Sequence, residues 1–67
     1  MIEIIINGEP RRVEPGLTLD RLLERLELPG TRIAVERNRK VVPRERYSLE
    51  GIEPGDRLEI VTLVGGG

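Results

Sequence analysis

The chain has 67 residues, of which 37% are hydrophobic and 34% are charged, and its formal net charge is -1. A chain of this length forms one domain, and its near-neutral charge disfavours bulk nucleic acid and anionic membranes as partners. No apolar run approaches the ~20 residues of a membrane-spanning helix, and no basic-then-apolar leader opens the sequence. We therefore expect a cytoplasmic protein that binds neither nucleic acid nor membrane.

Two residue types that carry much of protein chemistry are absent from the sequence, since it contains neither Cys nor His. Their absence excludes a disulfide, the usual structural zinc sites and any nucleophile activated by an imidazole. Carboxylates remain, but a domain this small has little room for a pocket around them. We expect no catalytic residue, no metal site and no bound cofactor, and hence a protein that is not an independent enzyme.

The first fourteen residues have the pattern of a β-hairpin. In the β-branched run 1–7, the isoleucines at even positions share one face, while Glu3 and Ile5 lie on the other. Asn7-Gly8 supplies the two residues that a type I′ turn needs, because both tolerate a positive φ. Residues 9–14 then return as a second strand.

A short amphipathic helix is predicted to follow the hairpin. Thr18 is a suitable N-cap, and Leu17 and Leu22 have the spacing of a hydrophobic staple. Pro29-Gly30 is expected to stop the helix. The predicted core-facing stripe consists of Leu19, Leu22, Leu23 and Leu26.

The second half of the chain predicts three short strands joined by turns. In the irregular connection before the last strand, Tyr47 and Leu49 are the expected anchors into the core. In the last strand, Glu59 should face water, so its two neighbours should point inward. The predicted segments are a strand at 32–37, a turn at 38–39, a strand at 40–42, a connection at 44–51, a turn at 54–56 and a strand at 57–64.

This order of elements predicts an α+β fold of the β-grasp (ubiquitin-like) type. One helix would lie across one face of a small mixed sheet of four to five strands, with the last strand beside the first in the middle. We assign residues 1–64 to this domain and residues 65–67 to a flexible C-terminal glycine tail.

A sheet covered by one helix has a second, open face. Alternation places Ile5, Val61 and Leu63 on that face, where polar residues would be expected, and Val64 follows at the start of the tail. Clustered apolar side chains of this kind are typical of a docking surface. The alternative is that the connecting loops cover them.

The sequence ends in three glycines, Gly65 to Gly67. If Gly67 is the terminus, its carboxylate is the one group that another enzyme could activate, and adenylation would provide the leaving group. Glycines suit a tail that enters a narrow site, since they lack a Cβ and tolerate strained dihedral angles. The competing interpretation is a frayed end or an expression remnant.

Several stretches together carry a family resemblance. They are Asn7-Gly8 after the first strand, Thr18-Leu19-Asp20-Arg21-Leu22-Leu23, Val35-Glu36-Arg37-Asn38, Val42-Pro43-Arg44-Glu45-Arg46-Tyr47, Gly55-Asp56-Arg57-Leu58-Glu59-Ile60 and Val64-Gly65-Gly66-Gly67. Over nearly its whole length the chain resembles the ThiS-type sulfur carriers of thiamine biosynthesis. The terminal glycines are shared by all ubiquitin-like carriers, whereas the stretches around Asn38 and Tyr47 are much more specific.

The resemblance implies a cycle of partners. A ThiF-type adenylyltransferase would adenylate Gly67 with ATP and magnesium, and a cysteine desulfurase or rhodanese relay would then leave a thiocarboxylate there. Thiazole synthase would consume this sulfur, and Gly65 and Gly66 would thread the partner sites.

Other carriers of this fold remain as alternatives, namely the molybdopterin-synthase small subunit and a tRNA-thiolation carrier. A non-catalytic interaction module or protein modifier is the alternative of another class.

Overall fold

The computed structural model describes residues 1–28 and 32–63 of the chain. Its elements are β1 (Ile2–Ile6), β2 (Glu9–Val13), α1 (Leu19–Arg25), β3 (Ile33–Arg37), β4 (Lys40–Val42), a 3-10 helix (Arg44–Arg46) and β5 (Arg57–Thr62). The strands form one five-stranded sheet in the order β2-β1-β5-β3-β4. β1 and β5 run parallel, and the other neighbours run antiparallel. The predicted mixed sheet with the last strand beside the first is confirmed.

Both hairpins of the sheet close through two left-handed residues, which the sequence predicted for Asn7-Gly8 but not for the turn at Asn38-Arg39. The φ angles are 51° and 83° at Asn7 and Gly8, and 51° and 72° at Asn38 and Arg39. Gly8 adopts this conformation without a steric penalty, but Arg39 has a Cβ that crowds its own backbone there. The second turn therefore stores strain that the first does not.

The helix begins where the sequence predicts but ends earlier than expected. Thr18 occupies the N-cap, although its hydroxyl donates to the Asp20 carboxylate instead of capping a backbone N–H. After Arg25 the chain turns through Glu27 at a φ of 58°. The N–H groups of Glu27 and Leu28 donate to the carbonyls of Glu24 and Leu23, both at 3.0 Å, which is the hydrogen-bond pattern of a Schellman motif. The helix thus terminates before Pro29-Gly30, which lies outside the described residues.

The core lies between α1 and one face of the sheet. It combines the helix leucines with the inward residues of β1, β3, β4 and β5 and with single residues of the connections. Neither helix in the described part of the chain has the length and apolar character needed to cross a membrane. The buried apolar residues are Ile4, Ile6, Leu17, Leu19, Leu22, Leu23, Ile33, Val35, Val42, Tyr47, Ile52, Leu58 and Ile60.

The connection between β4 and β5 corrects one of the two predicted anchors. Tyr47 is buried, but the Leu49 side chain is 68% exposed, so its prediction as an anchor is wrong. The inward position belongs to Ile52, whose N–H donates to the Leu17 carbonyl at 2.9 Å. Leu49 points outward because its N–H and that of Glu50 both bond back to Arg46, which closes a tight turn on the surface.

Candidate functional site

The candidate site is the end of β5 that leads toward the terminal glycines. Leu58 and Ile60 are buried and Glu59 is exposed, as the alternation predicts. Val61 and Leu63 are 53% and 52% exposed, so no loop among the described residues covers them. Val64, Gly65, Gly66 and Gly67, which the sequence also assigns to the site, lie outside the described residues.

The strand register does not bring Ile5 together with Val61. Ile5 pairs with Arg57, at the start of β5, and with Pro10 of β2. Val61 lies four residues further along β5, about 13 Å away at the rise of a β-strand. Ile5 is also partly buried. The apolar surface next to the tail therefore centres on Val61 and Leu63, and Ile5 lies toward the other end of the open face.

The neighbours of Val61 and Leu63 come from β3 and from Arg32, the residue before it. Val61 pairs with Ala34, and the Leu63 N–H donates to the Arg32 carbonyl at 2.7 Å. The sequence interpretation overlooked Val41 on the edge strand β4, which is 70% exposed. Its position was predictable, because the neighbouring Val42 points into the core and successive side chains of a strand alternate.

The amide of Asn7 holds the middle of β5 from the side of β1. Its Oδ1 accepts the Ile60 N–H at 2.8 Å, and its Nδ2 donates to the Ile60 carbonyl at 3.1 Å. The Asn7 side chain thus bonds both the N–H and the carbonyl of Ile60. It takes the place of a strand partner, because β1 ends at Ile6 and no strand residue is available there. Sequence reasoning identified Asn7 only as a turn residue, because this contact joins positions 53 residues apart.

At the opposite end of the sheet, Arg37 ties the β4–β5 connection to β3. Its guanidinium contacts the nearly buried Asp56 at 2.8 Å and Glu50 at 2.9 Å. Arg46 also binds Glu50, at 3.0 Å. The hydrogen bond from Arg46 is the main cause that lowers the pKa of Glu50, and Arg37 adds to it. These charges are engaged with one another, so we regard the cluster as structural.

Within residues 1–28 and 32–63, no group of three or more acidic side chains is placed to hold a metal ion.

A model of the ThiS family matches residues 4–67, nearly the whole chain. The chain belongs to the ThiS family. The resemblance expected from the sequence motifs is thereby confirmed.

Relatives of this ThiS-family chain differ in length. It is 39% identical over 66 residues to a thiazole synthase of Paramagnetospirillum magneticum, covering 98% of the chain but only 20% of that longer protein. It is 27% identical over 66 residues to the sulfur carrier protein ThiS of Escherichia coli, covering 98% of the chain and 100% of the relative. The crystal structure of a thiamine biosynthesis protein (ThiS) from Geobacter metallireducens superposes with a TM-score of 0.86 at 29% identity, covering 98% of this chain and 100% of that one. This match supports the β-grasp fold.

Proposed function

We propose that the chain is a sulfur carrier of thiamine biosynthesis, in which the carboxylate of Gly67 is adenylated and converted to a thiocarboxylate. The carboxylate would attack the α-phosphorus of ATP in a ThiF-type adenylyltransferase, with magnesium bound there, and pyrophosphate would leave. The outer sulfur of a persulfide carried by a cysteine desulfurase or rhodanese would then attack the acyl carbon, and AMP would leave. A thiol would reduce the resulting acyl disulfide, which releases the thiocarboxylate and leaves a disulfide on the donor side. Thiazole synthase would take the sulfur from Gly67 for thiazole formation.

The observation that carries this proposal is the extent of the family match, which reaches from residue 4 through Gly67 and so includes the glycines. A second observation supports the choice of acceptor. A segment similar to the whole of this chain makes up one fifth of a protein named thiazole synthase. Proteins that act on one another directly gain effective concentration when they share a polypeptide. We therefore infer that thiazole synthase is the partner that receives the sulfur.

The geometry of β5 suits such a carrier. The strand lies in the centre of the sheet between β1 and β3, and the Val61 and Leu63 side chains are exposed at its end. An extended segment of four residues spans at most about 14 Å, which is enough to enter a partner's active site while the domain stays outside. A rigid domain with a docking surface next to the tail reduces the entropy lost when the terminal carboxylate is positioned for reaction.

The proposal is tested by intact mass spectrometry. The purified chain is incubated with a ThiF-type adenylyltransferase from the same genome, ATP, magnesium, cysteine, a cysteine desulfurase and a thiol reductant. We expect a gain of about 16 Da, as sulfur replaces oxygen in the terminal acyl group, with the change located on the C-terminal peptide. The mass before reaction also checks that Gly67 is the terminal residue of the protein as expressed.

Two variants distinguish a tail that can no longer enter the partner's active site from a domain that no longer folds. Appending one residue after Gly67, or replacing Gly66 with a bulky residue, is expected to abolish the mass gain without changing the unfolding transition. If the wild-type chain stays unmodified although the adenylyltransferase preparation is shown to be active, the proposed function is refuted. Full modification of the Gly66 variant would refute the threading role of the glycines.

A further inference from the structure

The two sides of β5 are held over different lengths. On the β3 side, backbone bonds continue past the end of the strand, where the Leu63 N–H donates to the Arg32 carbonyl at 2.7 Å. On the β1 side, the last backbone bond among the described residues runs from the Asn7 N–H to the Leu58 carbonyl at 2.9 Å, because β1 ends just before Asn7. The second half of β5 therefore lacks a strand partner on the β1 side.

The Asn7 side chain extends the hold on this side by one step. Strand residues alternate in the side to which their backbone groups point, so Leu58 and Ile60 both face β1. Asn7 bonds Leu58 through its backbone, while its Nδ2 donates to the Ile60 carbonyl at 3.1 Å and its Oδ1 accepts the Ile60 N–H at 2.8 Å. An amide side chain suits this position because it offers both a donor and an acceptor, as a peptide group does.

The end of β5 depends on this contact more than its middle does. Packing holds the end weakly, since Val61 and Leu63 are 53% and 52% exposed. Without the Asn7 amide, this part of β5 would pair with β3 alone, and two-stranded ribbons twist more strongly than wider sheets. The direction in which the chain leaves the sheet is therefore sensitive to Asn7.

A small change in this direction has a large effect at the terminal glycine. Seven residues lead from Ile60 to Gly67, so an extended chain between them spans about 23 Å. A rotation of about 10° at Ile60, which is within the normal variation of strand twist, would displace the end of such a chain by about 4 Å. A misplacement of about 1 Å in a reacting group can lower a rate about 100-fold, and a tail that adapts recovers part of this loss.

We propose that Asn7 is a positioning residue for the charging of Gly67, which acts through Ile60 by fixing the course of β5 toward the partner's active site. The inference rests on the proposed function, in which the Gly67 carboxylate must reach the α-phosphorus of ATP. Loss of the Asn7 amide should lower the maximal rate of charging and leave the half-saturating concentration nearly unchanged. The physical reason is that the domain still binds, but its tail reaches the nucleotide less often.

The test follows pyrophosphate release in single turnovers with the purified ThiF-type adenylyltransferase in excess over the carrier. Varying the enzyme concentration gives the maximal rate and the half-saturating concentration separately, at a temperature below the unfolding transition of every variant. We expect Asn7→Gly to lower the maximal rate about tenfold and to change the half-saturating concentration less than about twofold. In the free carrier, the Leu63 amide should exchange faster at a given stability, because the end of β5 frays more often.

Two control variants separate positioning from stability. Asn38→Gly removes a similar amide from the turn of the other hairpin. Ile52→Val removes a methyl group from the core, which lowers stability without touching the contact between Asn7 and Ile60. Both controls should be charged at the wild-type maximal rate and should leave the exchange of the Leu63 amide unchanged at a given stability.

Several outcomes would overturn the inference. They are a wild-type maximal rate for Asn7→Gly, an equal slowing by Ile52→Val, a loss confined to the half-saturating concentration, and unchanged exchange of the Leu63 amide in Asn7→Gly. A wild-type chain that an active enzyme never charges would overturn the proposed function, and this inference with it. Normal charging of both the wild type and Asn7→Gly would overturn this inference alone.

Discussion

Replacing Asn7 with Gly tests whether the Asn7 amide holds β5 in place. The variant keeps the left-handed turn, because Gly adopts the φ of 51° without strain, but it removes the bonds to the Ile60 N–H and carbonyl at 2.8 and 3.1 Å. A hydrogen bond within a protein contributes about 0.5–1.5 kcal/mol net, so the loss of both predicts a destabilisation of about 1–3 kcal/mol.

The assay is urea unfolding followed by far-UV circular dichroism, combined with hydrogen exchange of individual amides. The Ile60 amide reports directly on the lost bond and should exchange faster in the variant at a given stability. Asn38→Gly is the matched control. It removes a similar amide from a turn with the same φ, but that amide bonds the Arg57 N–H at 3.1 Å and the Asp56 carboxylate at 3.3 Å, and makes no bond to Ile60. We expect this control to leave the exchange of the Ile60 amide unchanged at a given stability.

One result would refute this reasoning about Asn7. If Asn7→Gly unfolds within about 0.5 kcal/mol of the wild type and its Ile60 amide stays protected, water replaces the side chain without cost. In that case the register of β5 next to β1 depends on the backbone pairs and the buried leucine and isoleucine side chains alone.

Two further predictions concern strain and pH. Replacing Arg39 or Glu27 with Gly should raise the free energy of unfolding by about 0.5–1 kcal/mol, because both residues have left-handed φ angles, 72° and 58°, that Gly adopts freely. Urea midpoints of the two variants check this, with Gly introduced at the right-handed Arg25 as a control that should destabilise. The pKa of Glu50 is lowered in the folded state, first by Arg46 and then by Arg37, so its contribution to stability is present above its ordinary value of 4.5 and is lost as the pH falls through the lower folded value. As the pH is lowered from 4.5 to strongly acidic conditions, the free energy of unfolding should therefore fall less for Glu50→Gln than for the wild type. If the two proteins show the same pH dependence of unfolding, this assignment is contradicted.

Local patterns in the sequence were sufficient for most of the secondary structure. The alternation of β1 and β5, the Asn7-Gly8 turn and the leucine stripe of α1 are all consequences of neighbouring residues, and each is observed. The end of the helix was misjudged because a non-glycine residue, Glu27, adopts the left-handed conformation that ends it. The residue types alone do not signal this conformation of Glu27, because it is imposed by the backbone hydrogen bonds to the Leu23 and Glu24 carbonyls.

Contacts between distant segments decided the rest. Leu49 and Ile52 are both aliphatic, and only the pairing of the connection with Leu17 and Leu19 determines which of them is buried. Likewise, both Ile5 and Val61 belong on the open face by alternation, but the parallel register of β1 and β5 sets them far apart along the strand.

The sequence by itself determined the family and the order of elements, because these depend on residue types at fixed spacing. The assignment of Gly67 as the group to be charged stays a prediction. Only the tertiary structure decided that Asn7 bonds Ile60 and that Glu36 faces Glu59. The physical reason is that a strand's alternation specifies which face a side chain occupies, whereas its partners depend on the register between strands. That register follows from packing across the whole domain.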